Sequence, residues 1–277
     1  SALGNLMPAY KLIFDNREHT AFSALGSATA LPGNLSLIQF EALDLAPEIR
    51  DIILRINQSS RTAFIVPVRE YKAIFYDMDS TVIAEESINE LSRAAGKEAE
   101  VALITEQAMA GLLDFTSALK ERVRMLKDLP DSVIDEVRAR LTINPGMTAV
   151  SQAAKARGIQ LYLVSGGFNS LASRVVRELE FDGFIANELD SENGQLNGQL
   201  RGAIINAEAK AEFLTDTCKR SGFHVNETIT VGDGANDLPM MQASGASIGY
   251  NPKSVLLPHI FGAIFTPADH AALIHAL

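Results

Sequence analysis

The chain has 277 residues, 47% of them hydrophobic and 21% charged, which is typical of a soluble globular protein with one large or two smaller domains. Its 24 basic and 34 acidic residues give a net charge of −10, which disfavours nucleic acid or a membrane as a partner, since either would need a basic surface. A single cysteine, Cys218, excludes an intrachain disulfide, and neither a bilayer-spanning apolar run nor a signal-peptide pattern is present, so we expect a cytoplasmic protein.

The first 70 residues predict a small α/β domain. Runs of β-branched and aromatic residues predict three strands, at 10–14, 35–40 and 61–68. Four isoleucines at helical spacing predict a helix between the last two of these strands: Ile49, Ile52, Ile53 and Ile56. We expect residues 1–70 to form a separate unit, which carries no chemical motif. A role in sensing a regulatory ligand stays open for it.

The next strand, at 73–76, runs directly into two carboxylates, Asp77 and Asp79, in the stretch DMDST. Two like charges so close raise each other's pKa and repel unless a cation lies between them. An isolated Asp-x-Asp is more often an exposed acidic turn than a metal site. The pair therefore either faces water or holds a cation, and the other motifs of the chain are needed to distinguish the two possibilities.

Residues 84–145 predict a helical bundle, because apolar residues recur three and four positions apart with charged residues between them. The turn signal NPG at 144–146 closes this segment. Helices then alternate with apolar strands, most clearly at 159–165 and 227–233, which predicts βαβ units and a parallel sheet. Near the end of the chain, Thr266 and Pro267 are suited to the N-cap and first turn of a last helix.

Three predicted strands each end in a small polar cluster: DMDST, SGGF and GDGAND. Ligands of a parallel sheet bind at the carboxyl ends of its strands, so we expect the three clusters to converge on one site. Asp77 and Asp79 would then share an acidic pocket with Asp233 and Asp237. Four carboxylates need a divalent cation, and a site made only of oxygen ligands suits Mg²⁺.

The SGGF cluster has the opposite preference, for an anion. Ser165 offers a hydroxyl, and Gly166 and Gly167 leave backbone N–H groups open at what we expect to be the start of a helix. Lys210, between the second and third clusters, could neutralise a phosphoryl group, although a helix lysine is by default a surface residue. An acidic pocket, a cation, an anion cradle and a lysine together predict phosphoryl transfer.

The ordered motifs DMDST, SGGF, a separate lysine and GDGAND resemble those of the haloacid-dehalogenase-type phosphatases. The stretches EESINEL, ITEQAMAG, LDFTSALKERV and ANELD make the chain most similar to the bacterial phosphoserine phosphatases, over roughly residues 71–266. The resemblance implies an α/β fold with a Rossmann-like parallel-sheet core at 71–83 and 146–277. A helical cap, 84–145, would be inserted in this core, beside the small N-terminal domain.

The resemblance also implies catalytic and metal-binding roles. Asp77 would be the nucleophile that forms an aspartyl-phosphate, and Asp79 the acid and then the base. Asp77, the Asp79 carbonyl and Asp233 would hold Mg²⁺, with Asp237 supporting them. The implied reaction is hydrolysis of O-phospho-L-serine, the last step of serine biosynthesis.

Substrate-binding residues follow from the same resemblance. Four would surround the phosphoryl group: Ser165, Gly166, Lys210 and Asn236. Four would come from the cap: Glu86 for the substrate ammonium, Arg122 for its carboxylate, and Met109 and Phe115 for its apolar side. A buried charge left unpaired costs several kcal/mol, so the Glu86–Arg122 pair predicts selectivity for an amino-acid substrate. Arg122 could instead pair with Glu121 or Asp114 on its own helix.

One departure and several alternatives remain. Where the family usually has an Ala-Lys-Pro run, this chain reads GYNPKS, so the loop around Lys253 differs. Transfer of the phosphoryl group to another alcohol, or a different phosphomonoester substrate, stays open, as does a homodimer. A signalling receiver domain also uses aspartates, a hydroxyl and a lysine around Mg²⁺, but Asp79 and the helical insert count against it.

Overall fold

The computed structural model describes residues 7–42 and 45–277. Among these residues, eleven strands form one mixed sheet in the order β2-β3-β1-β4-β11-β10-β9-β5-β6-β7-β8. The strands are β1 (Ala9–Asp15), β2 (Thr29–Leu31), β3 (Leu35–Glu41), β4 (Ala63–Pro67), β5 (Ala73–Tyr76), β6 (Gln160–Phe168), β7 (Gly183–Glu192), β8 (Gln195–Arg201), β9 (Thr228–Gly232), β10 (Ala246–Tyr250) and β11 (Gly262–Ile264).

The centre of the sheet is parallel, and it positions the polar clusters. Strand β5 lies between β9 and β6 and pairs in parallel with both. Its four residues are fully buried, because helices cover both faces of the sheet and an apolar strand is stable only there. The three clusters expected to converge therefore lie at the carboxyl ends of three adjacent parallel strands. The predicted α/β fold with a parallel-sheet core is confirmed.

The described residues contain nine α-helices: α1 (Pro47–Gln58), α2 (Ser87–Ala94), α3 (Glu98–Met109), α4 (Phe115–Arg124), α5 (Asp131–Arg140), α6 (Met147–Ala156), α7 (Asn169–Glu178), α8 (Ala207–Ser221) and α9 (Leu238–Ala243). Helices α2 to α5 follow one another without a strand of the sheet between them. None of the nine is both long and apolar enough to cross a membrane.

The helical insert leaves the core and returns to it at the same place. Ile83 and Ile143 form an antiparallel bridge, and the Asn144 N–H donates to the Val82 carbonyl at 2.8 Å. This two-stranded base connects α2–α5 to the end of β5, next to the clusters.

The N-terminal strands continue the same sheet. Strand β4 pairs antiparallel with β11, where Gly262 lies opposite Phe64. Helix α1 packs on the N-terminal strands around an apolar cluster that includes Leu12, Phe14, Phe22, Ile38, Ile49, Ile53, Ile56 and Ile65. The first 70 residues thus have their own core but share a sheet with the rest. The division of the chain into domains stays a prediction.

Two local predictions were wrong. The residues Ser165–Phe168 are the extended end of β6, and the helix that follows begins only at Asn169. The Thr266 hydroxyl donates to the Asn251 side chain at 3.0 Å and caps no helix. A 3₁₀ helix, His270–His275, begins later, with Asp269 as the N-cap that accepts from the Ala271 N–H at 2.8 Å.

Candidate active site

Three buried carboxylates lie together at the carboxyl ends of β5 and β9. Asp77 directly follows β5, Asp233 directly follows β9, and Asp237 ends a short 3₁₀ helix, Ala235–Asp237. One oxygen from each lies within 4.8 Å of the others. This cluster forms because the carboxyl ends of adjacent parallel strands meet at one edge of the sheet.

Lys210, on helix α8, lies between two of these carboxylates. Its Nζ donates to Asp77 Oδ1 at 2.6 Å and to Asp237 Oδ1 at 2.7 Å, and the side chain is only 1% exposed. Burial by itself would lower the pKa of Lys210, but the two carboxylates outweigh burial and raise it. Burial and the Asp237 charge raise the pKa of Asp77 well above its usual range, more than Lys210 lowers it.

The donor set fits a divalent cation. Asp237 is already used on both oxygens, since its Oδ2 accepts from the backbone N–H groups of Asp233 and Gly234 at 3.1 and 3.2 Å. Asp77 gives Lys210 only one oxygen, and Asp233 meets an exposed lysine, Lys253, at 3.3 Å. Burial raises the pKa of Asp233 to about 6. The cluster thus has three carboxylates and only two lysines beside them. Carboxylate oxygens are the ligands that Mg²⁺ prefers, and a bound cation would offset the excess negative charge.

Asp79 lies on an irregular turn, Met78–Val82, which we call the Asp79 turn. Its Oδ2 accepts from the hydroxyl and the backbone N–H of Ser87, at 2.6 and 3.1 Å. Its Oδ1 is buried and has no hydrogen-bond partner among the described residues. Burial, followed by the Glu86 charge, raises the pKa of Asp79 to about 7. A carboxyl with such a pKa can both give and take a proton near neutral pH.

Ser87 is a site residue that the sequence did not indicate. It is fully buried at the start of α2, and it fixes the orientation of the Asp79 carboxyl. The available signal was a serine directly after Glu86, at the point where the helical segment begins.

The anion side of the site is formed by the extended end of β6. Ser165 is buried, and its Oγ accepts from the Gly167 N–H at 2.8 Å. That N–H is therefore already used, contrary to the expected open helix start. The Gly166 carbonyl accepts from the Asn187 side chain at 2.8 Å. A Cβ on Gly167 would lie 2.6 Å from Ser87 Oγ, so only glycine fits between the two serines.

The insert places two charged residues above this edge. Glu86 accepts from the Ser80 hydroxyl at 2.7 Å. The Arg122 Nε–H donates to the Ala118 carbonyl at 3.2 Å, and Arg122 has no ion-pair partner within the described ranges. Burial lowers the pKa of Arg122, and the Glu86 charge opposes this, so the two groups lie close enough to interact.

The alternative partners of Arg122 are occupied elsewhere. Glu121 pairs with Arg124 at 2.9 Å, and Asp114 caps α4 by accepting from the Ser117 N–H at 3.0 Å. Arg122 is therefore not paired with Glu121 or Asp114 on its own helix.

The remaining predicted residues differ in position. The Phe115 ring approaches β6, since its Cζ would lie 3.6 Å from a Cβ on Gly166. The Asn236 side chain is half-buried beside Gly234. Met109 is 85% exposed at the end of α3, so the structure does not bring it to the cluster.

Comparison with known proteins finds a family match over the part of the chain that holds most of the site. Residues 74–242 match the family model described as haloacid dehalogenase-like hydrolase, and this range holds every site residue above except Lys253. The chain is 39% identical over 196 residues to a phosphoserine phosphatase of Archaeoglobus fulgidus. That alignment covers 71% of this chain and 57% of the relative, so the chain spans just over half of the relative's length.

The similar solved structures include a hydrolase and a phosphatase. A HAD family hydrolase from Salmonella enterica subsp. enterica serovar Typhi has a TM-score of 0.87 at 27% identity, covering 96% of this chain and 97% of that one. A phosphoserine phosphatase, solved as an analogue of its phospho-aspartyl intermediate, has a TM-score of 0.66 at 36% identity, covering 71% of this chain and 94% of that one. The first likeness extends over the N-terminal strands as well.

Proposed function

The chain belongs to the haloacid dehalogenase-like hydrolase family, and we propose that it hydrolyses O-phospho-L-serine to L-serine and phosphate with Mg²⁺, through an aspartyl-phosphate. The observation that carries the proposal is a buried ion-pair cluster, in which Lys210 pairs with both Asp77 and Asp237. Beside it lies Asp79, two residues after Asp77, whose pKa burial raises to about 7. The similarity to phosphoserine phosphatases supports the substrate. The reaction would supply L-serine for biosynthesis.

In the first half of the reaction, Asp77 attacks the phosphorus and the bond from phosphorus to the serine oxygen breaks. Asp79 gives its proton to that oxygen, and serine leaves as an alcohol. Ser87 holds Asp79 Oδ2, so Oδ1 is the oxygen left to carry the proton. Lys210 orients Asp77 and neutralises charge on the phosphoryl oxygens.

In the second half, a water molecule attacks the phosphorus of the aspartyl-phosphate. Asp79, now a carboxylate, accepts the proton of that water, and the bond to Asp77 breaks to release phosphate. Its pKa of about 7 suits both roles, since a group must be able to give a proton and then take one. Asp77, the Asp79 carbonyl and Asp233 would hold Mg²⁺, supported by Asp237, and the bound ion would supply positive charge for the phosphoryl oxygens.

The remaining residues would select and seat the substrate. Ser165 and Gly166, with Asn236 beside them, would receive the phosphoryl oxygens. In the cap, Glu86 would face the substrate ammonium and Arg122 its carboxylate. Phe115 and, after a movement of its exposed segment, Met109 would cover the apolar side. Arg122 supports this assignment most directly, because it is half-buried and has no ion-pair partner among the described residues.

The test is phosphate release from L-phosphoserine with Mg²⁺ or with EDTA, for the unaltered chain and for Asp77→Asn. Asp216→Asn, an exposed aspartate on α8, is the matched control. Phosphoethanolamine lacks the carboxylate and 3-phosphooxypropanoate lacks the ammonium, so both should react more than about tenfold more slowly. Activity on these esters equal to that on phosphoserine would contradict the roles of Glu86 and Arg122. Activity that survives Asp77→Asn would contradict the nucleophile. A cytoplasmic location and a homodimer stay predictions.

A further inference from the structure

The last 3₁₀ helix of the chain contacts the Asp79 turn through one buried side chain. His270 is fully buried, and its Nε2 lies 2.9 Å from the carbonyl oxygen of Thr81, a residue of the turn 189 positions earlier. We propose that His270 is a positioning residue, which donates to the Thr81 carbonyl and holds the Asp79 turn in its working shape. This inference rests on the proposed function of Asp79.

The direction of the hydrogen bond follows from the surroundings of the ring. Burial lowers the pKa of His270 to about 4, so the imidazole is neutral near pH 7 and carries one N–H. Nδ1 is buried and meets no partner in the described part of the chain, whereas Nε2 faces a carbonyl oxygen. The proton therefore lies on Nε2, which donates.

Two aromatic rings fix the plane of the imidazole. Tyr250 stacks on it, with centroids 3.8 Å apart and an angle of 17° between the planes. Tyr76, the last residue of β5, meets it edge-on at 5.6 Å. Because the ring is packed on two sides, its N–H stays directed at the Thr81 carbonyl, and forming the hydrogen bond costs little further side-chain entropy.

The same carbonyl accepts a second hydrogen bond from the base of the helical insert. Asn144 Nδ2 donates to the Thr81 oxygen at 2.7 Å, and Asn144 lies where the insert returns to the core. The His270 N–H donates to the Pro145 carbonyl at 3.2 Å, so the C-terminal helix is docked on that return. Both lone pairs of one carbonyl in the Asp79 turn are thus used by two elements distant in sequence. We expect the shape of the turn to depend on the C-terminal helix.

The experiment compares two variants that separate the donor from the packing. His270→Phe keeps an aromatic ring but has no donor, whereas His270→Gln can still donate from its side-chain amide. His270→Phe should lower kcat for phosphoserine roughly three- to tenfold with KM changed less than about twofold, as expected for one lost hydrogen bond away from the substrate-binding groups. His270→Gln should recover most of this loss. Tyr250→Phe, which keeps the stacking ring, is the control and should leave kcat unchanged.

Hydrogen–deuterium exchange gives a readout that needs no activity. The Ile83 amide, which donates to the Met78 carbonyl at 3.0 Å across the Asp79 turn, should exchange faster in His270→Phe than in the unaltered chain or in His270→Gln. Unchanged kcat and exchange in His270→Phe would overturn the proposal, and so would equal losses in both variants, which would indicate packing alone. If the unaltered chain did not hydrolyse phosphoserine, the proposed function would fail and the exchange comparison would still decide the role of His270.

A measurement on the unaltered protein covers the case in which a variant does not fold. The ¹⁵N shifts of the His270 ring report which nitrogen carries the proton. A proton on Nε2, with a scalar coupling across the bond to the Thr81 carbonyl, is the expected result. A proton on Nδ1 would overturn the proposal.

Discussion

Lys210→Met should destabilise the protein far more than the same change at an exposed lysine of the same helix. The Lys210 Nζ lies 2.6 and 2.7 Å from two carboxylates, Asp77 and Asp237, that are themselves buried. Methionine keeps the length of the side chain but leaves both carboxylates without their cation. Removing one partner of a buried charge pair costs about 3 to 5 kcal/mol, because the charge that remains can be neither paired nor solvated.

The assay is urea unfolding of the metal-free protein at about pH 8, where ionised carboxylates make the loss greatest. Lys219→Met is the matched control. The Lys219 side chain is 79% exposed on α8, with its Nζ 3.6 Å from Asp216. An exposed pair of this kind contributes little, so the control should change the unfolding free energy by less than about 0.5 kcal/mol.

The pH dependence of the Lys210→Met deficit provides a second check. Without Lys210, the pKa of Asp77 in the folded state should rise further above its unfolded value. A carboxyl of this kind gives stability that is present below its unfolded pKa and is lost as the pH rises through its folded pKa. The deficit should therefore shrink when the pH is lowered to about 5. A deficit below about 1 kcal/mol, or one equal at both pH values, would refute the charge argument.

Three further outcomes are expected. Gly146→Ala should lower the unfolding free energy by about 2 to 4 kcal/mol, since a Cβ there would lie 2.4 Å from a backbone nitrogen at a φ of +84°. Gly158→Ala, at a φ of +69° with no atom within 4 Å, should cost about 1 kcal/mol in the same urea series. The unfolding free energy of the metal-free protein should fall between about pH 5 and pH 8. Burial raises the pKa of Asp79 to about 7, so the folded state keeps a proton that the unfolded state has lost, and this stability disappears as the pH rises. In Asp79→Asn the fall over this pH range should be smaller by about 2 to 3 kcal/mol. Mg²⁺ at about 100 times its Kd should add about 2.7 kcal/mol, and calorimetric titration should show weaker binding by Asp233→Asn than by Asp216→Asn.

Each of these outcomes has a result that would contradict it. Equal losses at the two glycines would exclude a steric cause at Gly146. An unchanged pH slope in Asp79→Asn would assign the titration to another group. Unaltered Mg²⁺ binding by Asp233→Asn would remove that carboxylate from the metal site.

The sequence alone predicted the α/β fold and the meeting of the three clusters. Apolar runs such as β5 are stable only where both faces of a sheet are covered, and this makes them readable as buried parallel strands. Once their order is known, topology brings their carboxyl ends together. Asp77 and Asp233, each directly after such a strand, therefore had to share one edge of the sheet.

The tertiary structure alone decided what lies opposite those carboxylates. Helical spacing does not distinguish a lysine that faces solvent from one that faces a buried cluster. Only the place of Lys210 in the order of the motifs favoured a role in the site over that of a surface lysine. Likewise, no local pattern connects Ser87 to Asp79 or His270 to Thr81. The antiparallel pairing of β4 with β11, which joins the N-terminal strands to the core, is of the same kind. Sequence patterns report on neighbours a few positions apart, whereas these contacts join residues that only the packing of helices on the sheet brings within hydrogen-bonding distance.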